Sequence, residues 1–139
     1  MSVIINREEL AWAAGFVDGE GTFSCKMHDT ASSRKGYPTF AIQQTGSLIA
    51  LDRFAKVIED AGVPVKRYGP YGPYKNNLGT RPHYRVEAYG FEKVQAIAAL
   101  LWTWLSAIKR EQIVSVLYTK ESRPWGRDQA SLNAVVAVF

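Results

Sequence analysis

A chain of 139 residues with a formal charge of +4 is long enough for one domain with a core and short for two. Its 47% hydrophobic and 22% charged residues are ordinary for a globular protein, and with no apolar run of bilayer length no membrane partner is expected. Cys25 is the only cysteine, which excludes an internal disulfide and any cysteine-clustered zinc centre, so a metal would have to sit on oxygen ligands.

The opening MSVIINREEL lacks the basic flank, apolar stretch and cleavage site of a signal peptide, which predicts an intracellular protein. Asn6 with Glu9 three residues on forms a capping box, and helix formers continue to about Asp18. GTFSCKMHD then alternates as a strand, with Phe23, Cys25 and Met27 on one face and Thr22, Ser24, Lys26 and His28 on the other. TASSRKGYP reads as a loop. YPTFAIQQ resumes the alternation, with Phe40 and Ile42 opposed to Tyr37, Thr39, Ala41 and Gln43.

SLIALDRFAKVIEDAG has helical periodicity, with Leu48, Leu51, Phe54, Ala55 and Ile58 inward and Gly62 as its stop. Two strands follow around a loop rich in glycine, proline and tyrosine. In the second, Tyr84, Val86 and Ala88 oppose His83, Arg85 and Glu87. FEKVQAIAALLWTWLSAI reads as a third, apolar helix with Trp102 and Trp104 at the core edge, and KREQIVSVLYTKE as a fourth or its continuation. The domain is placed at 1–122, with a tail at 123–139 in which Trp125 serves as an anchor.

The order αββαββα predicts an α+β fold. It has a four-stranded antiparallel or mixed sheet, curved into a saddle, with helices on its apolar face and the other face open. Between Asp29 and Asp52, and again between Asp60 and Glu87, the chain has no acidic residue, while the second gap holds Lys66, Arg67, Lys75, Arg81 and Arg85. Tyrosines 68, 71, 74 and 84 are interleaved with them, a mixture suited to a polyanion with flat or apolar edges. A basic face of strand width can enter a DNA major groove. His28 and His83 sit among these cations as phosphate or solvent contacts.

The most informative stretch is AAGFVDGEG, residues 13–21. Ala11, Gly15 and Gly19 recur every fourth position with Ala14 beside them, a stripe without side-chain bulk along which a second helix can approach closely. If that helix is its own copy, two-fold symmetry brings two Glu20 carboxylates together, and they require cations.

AAGFVDGEG resembles the nine-residue signature of the LAGLIDADG homing endonucleases, with Ala13 where leucine is usual, and the element order is similar to that family's fold. The resemblance implies a site-specific double-strand DNA endonuclease that leaves short 3′ overhangs. A single signature implies a homodimer on a pseudo-palindromic duplex. It further implies Glu20 as the essential metal ligand with the Gly19 carbonyl beside it, and Mg²⁺ as cofactor, for which Mn²⁺ or Ca²⁺ can substitute in binding.

Asp18 is implied to orient the helix ends at the interface formed by Ala11, Ala14, Gly15 and Gly19. Gln44 is implied to hold the attacking water, with Gln43 next to it leaving the register open. Lys109, or Arg110 as the alternative, would stabilise the scissile phosphate. The implied DNA contacts are Thr22, Ser24, Lys26, His28, Tyr37, Thr39, Ala41, Gln43, Lys66, Arg67, His83, Arg85 and Glu87. The rival expectation is a relative that binds nucleic acid without cutting it, such as an intron RNA maturase or a DNA-binding regulator.

Overall fold

The computed structural model describes residues 2–30, 33–72 and 81–118, and their side chains except those of 27–30 and 33–35. The expected tail at 123–139 lies outside the described residues, as do Trp125, Tyr74 and Lys75.

Helix α1 (Arg7–Glu20) starts as its capping box predicts: the Asn6 side chain accepts the Glu9 backbone N–H at 3.1 Å. Leu10, Ala13, Ala14 and Val17 form its buried stripe. Strands β1 (Gly21–Thr30) and β2 (Ser33–Thr45) follow, then α2 (Ile49–Asp60), β3 (Lys66–Tyr71), β4 (His83–Tyr89) and α3 (Phe91–Leu101). A 3-10 turn (Trp102–Trp104) leads into α4 (Ala107–Leu117). The sheet order is β1-β2-β4-β3 and every pairing is antiparallel, which resolves the antiparallel-or-mixed alternative.

The alternation in β1, β2 and β4 sends Phe23, Phe40, Ile42, Val86 and Ala88 to the helix side, where all five are buried. Phe40 is central, its ring 5.0 Å from that of Phe23 and 5.6 Å from that of Phe54 on α2. Phe40→Ala is expected to cost about 3–5 kcal/mol, because a fully buried aromatic leaves a cavity its neighbours only partly fill. Urea denaturation reads this directly, and a loss below about 1 kcal/mol would contradict the core drawn here. Beside this core, Arg53 on α2 grips Glu9 on α1 at 2.6 and 2.9 Å and covers the Trp12 ring at 3.9 Å. That hydrogen bonding holds the Glu9 carboxyl below its ordinary value, so the link persists above the usual glutamate range and is released as pH falls through the lowered value.

Three expectations are corrected here. The first hairpin is longer than the alternation suggested, since most of the expected loop TASSRKGYP is paired, from Met27↔Gly36 out to Thr30↔Ser33. Leu48, expected inward, precedes the first turn of α2 and is 41% exposed. The single apolar helix expected across residues 91–108 is broken. α3 ends at Leu101, and α4 restarts after Ser106, whose side chain accepts the Lys109 N–H at 3.2 Å. Arg110 fixes the break by donating to the Trp102 carbonyl at 2.9 Å and the Thr103 carbonyl at 3.0 Å while stacking over Trp102.

Candidate functional site

Negative charge is disfavoured at a helix C-terminus, so Asp18 and Glu20 at the end of α1 call for partners. Asp18 has one. Both of its carboxylate oxygens accept the Ser106 backbone N–H at 3.1 Å, which places the acid at the N-terminus of α4, where the dipole favours it. Glu20 is exposed, and its carboxylate forms no ion pair among the described residues.

The restart of α4 carries Lys109 to the same end of the molecule. Its Nζ donates to the Gly21 carbonyl at 2.7 Å, directly after Glu20, and to Gln112 Oε1 at 3.4 Å. Gln112 in turn accepts the Phe23 N–H at 3.2 Å and so ties this helix turn to β1. Of the two alternatives, Lys109 is therefore the cation beside the signature, while Arg110 holds the 3-10 turn. Gln112 escaped sequence reasoning. Its only signal was its place three residues after Lys109, one helical turn away on the same face.

β2 runs past the Gly21↔Ile42 pair and carries Gln43 and Gln44 beyond the start of β1. The two diverge there. Gln43 lies on the open face, its Nε2 3.5 Å from His83 Nδ1, whereas Gln44 pairs with Tyr84 on the side from which α1 arrives.

On α1, Gly15 and Gly19 are exposed, and a Cβ built on either would meet no packing neighbour within 4 Å among the described residues. Gly21 differs: its Cβ would lie 2.9 Å from Val17 Cγ1 and 3.0 Å from the Val17 carbonyl, so the protomer itself requires that glycine. Ala14, expected at the helix interface, is fully buried inside the protomer, because it shares the stripe of Leu10 and Val17. The line of small residues left outside the core is Ala11, half-buried, with Gly15 and Gly19, both exposed.

The register sets the open face in rows. Thr22, Ala41, Glu87 and Lys66 form one, and Ser24, Thr39 and Tyr89 the next; Lys26 pairs with Tyr37, Gln43 with Arg85 and Tyr68, and Thr45 with His83 and Tyr71. His28 belongs to the far end opposite Lys35, and its side chain lies outside the described ones.

Three expected contacts change role. Arg67 pairs with Val86 and so faces the helices, where it binds Glu59 at 2.7 Å and Asp52 at 3.6 Å on α2. The hydrogen bond to Glu59 raises the Arg67 pKa above its usual value. Thr39 is buried, its hydroxyl 2.8 Å from Ser24 Oγ, so it supports Ser24 from below. Glu87 is buried beside Arg85, to which it is paired at 2.7 Å. Tyr89, absent from the expected set, joins the face with Lys26 over its ring at 5.6 Å.

Gly19 and Glu20 offer only oxygen, a carbonyl and a carboxylate, which suits a hard dication such as Mg²⁺. Among the described residues no three His, Cys, Asp or Glu side chains gather into a metal site. No helix among the described residues is long and apolar enough to cross a membrane.

No protein-family model matches the chain, and no curated protein is significantly similar to it. Solved structures are. The homing endonuclease I-CvuI, in complex with its target, superposes with a TM-score of 0.58 at 21% identity, over 81% of this chain and 67% of that one. I-TnaI, also a homing endonuclease, gives 0.55 at 13% identity over 99% and 98% of the two chains. I-GzeII, a LAGLIDADG homing endonuclease bound to its DNA target, gives 0.50 at 13% identity, and this chain spans half its length. At these identities the likeness is one of architecture: the chain has the fold of the LAGLIDADG homing endonucleases.

Proposed function

We propose that the protein is a site-specific double-strand DNA endonuclease that acts as a homodimer on a pseudo-palindromic target and leaves short 3′ overhangs. The observation that carries this is the convergence at the end of α1. Glu20, whose carboxylate forms no ion pair among the described residues, directly precedes Gly21, whose carbonyl is held by Lys109 from a distant helix, at the rim of an open face bearing Lys26, Lys66 and Arg85. The described complexes of I-CvuI and I-GzeII with DNA support the substrate class, and those of I-CvuI, with Ca or Mg present, support a divalent cofactor.

Dimerisation is supported by Gly15 and Gly19. Each costs a helix about 1 kcal/mol relative to alanine, and among the described residues no packing neighbour stands where a Cβ on either would go. A second copy of α1 packed there would set two Glu20 side chains side by side. Ile108, 80% exposed in the first turn of α4, borders the same end and would be covered by the partner.

Glu20 and the Gly19 carbonyl would hold Mg²⁺, which when bound supplies positive charge to the phosphodiester and lowers the pKa of its water. Gln44, on the helix side at the end of β2, orients the attacking water through its amide. Lys109 stabilises the negative charge that develops on the scissile phosphate, held at the signature by the Gly21 carbonyl and Gln112. Asp18 keeps α4, and with it Lys109, in register with α1.

Lys109→Met is expected to slow cleavage by roughly a hundred- to a thousandfold while leaving duplex binding near the wild-type value. Single-turnover rates on the selected target, set beside a binding isotherm, separate the two. An unchanged rate would remove Lys109 from the chemistry.

A further inference from the structure

We infer that Arg85 reads a guanine at a fixed position of each half-site, and that Glu87 is the residue that positions it. This rests on the reading of the open face as a DNA-binding surface. Among the described residues of that face, Glu87 is the only carboxylate, and its side chain is 6% exposed. A buried acid on a polyanion-binding face is a cost twice over, once for its desolvation and once for its repulsion of phosphate.

The cost is accounted for by Arg85. The Arg85 Nη1 donates to Glu87 Oε1 at 2.7 Å, and the guanidinium lies over the Tyr71 ring at 5.5 Å. Its cross-strand neighbours are Gln43 and Tyr68. Glu87 sits between small Ala41 on β2 and Lys66 on β3, with Arg85 its ion-pair partner.

An arginine intended for phosphate gains nothing from a neighbouring carboxylate, which offsets its charge. One intended for a base edge gains a fixed plane, because a guanidinium fork matches guanine O6 and N7 only when held in one orientation. Arg85 is central on the sheet, on the strand flanked by β2 and β3, where a major-groove floor would face it.

Randomised duplexes bound by the wild type, by Arg85→Ala, by Glu87→Ala and by Glu87→Gln would be sequenced in parallel, with thermal melts to show which variants are folded. The wild type should require guanine at one symmetric pair of positions, by roughly 5- to 150-fold over other bases. Arg85→Ala should lose that preference alone. Glu87→Ala should lose most of it while its affinity for unrelated duplex stays equal or rises. Glu87→Gln keeps an acceptor without the charge, and should retain part of the preference with tighter non-specific binding; it carries the test if Glu87→Ala does not fold.

An unchanged guanine requirement in the folded Glu87 variants would overturn the positioning role. Loss of affinity in Arg85→Ala that is uniform over all sequences would make Arg85 a phosphate contact. A wild type that selects no duplex at all would instead overturn the DNA reading beneath this inference.

Discussion

Glu20→Gln is expected to reduce metal-dependent strand cleavage by at least roughly a thousandfold, since a lost metal ligand forfeits several kcal/mol of transition-state stabilisation. Folding should be untouched. The side chain is exposed and its carboxylate has no ion-pair partner among the described residues, so the change in stability should stay within about 0.5 kcal/mol. Duplex binding should also survive, because the cations of the open face lie on the strands. A further sign separates this account from a purely structural role. Two Glu20 carboxylates brought within a few ångströms repel by about 1 kcal/mol in water, so in chelator Glu20→Gln should dimerise more tightly than the wild type. Equal cleavage by wild type and variant would remove Glu20 from the site.

The second large effect is expected at the small-residue line of α1. Gly15→Leu and Gly19→Leu should abolish dimerisation, and with it double-strand cleavage, while each leaves the protomer folded. Among the described residues neither site has an atom from outside its own helix turn within 4 Å of a new Cβ, and a leucine is a better helix former than glycine by up to about 1 kcal/mol. The protomer should therefore melt at the same temperature or higher as its association is lost. Gly21→Ala is the contrast, since its Cβ would press on Val17 and should destabilise the protomer itself. Analytical ultracentrifugation with and without DNA, alongside thermal melts, distinguishes these outcomes. A Gly15→Leu protein that still associates as the wild type does would place the dimer contact elsewhere.

Much of this arrangement is written locally in the chain. The Asn6 cap, the Gly62 stop at φ +98° and the alternation through Phe40 and Ile42 each act over a few residues, and each lies where local chemistry puts it. What stayed hidden depends on distant partners. Lys66 and Arg67 are both cations on one strand, so period alone could not choose between them. The acids Asp52 and Glu59 on α2 draw Arg67 to the helix side, leaving Lys66 on the open face.

The break after Leu101 has no glycine or proline to announce it. It is held by Asp18, 88 positions from Ser106, and by the reach of Arg110 to two carbonyls. The length of the first hairpin was hidden for a different reason. Ser33, Lys35 and Gly36 have the composition of a loop, but backbone pairing does not require apolar side chains. Tyr89 follows His83, Arg85 and Glu87 by the same period of two, so its place on the open face was legible in the alternation.

In the proposed function, α1 delivers a metal-dependent cutting centre beneath a DNA-reading sheet. The most direct measurement incubates the purified protein with randomised duplex DNA, with and without Mg²⁺, and sequences the cut ends, with Glu20→Gln as the control. The expected result is Mg²⁺-dependent breaks with short 3′ overhangs at one pseudo-palindromic sequence, absent in the control. Selective retention of duplex or of intron RNA without any metal-dependent break would contradict it, and would leave a nucleic-acid-binding protein that shares the fold without the chemistry.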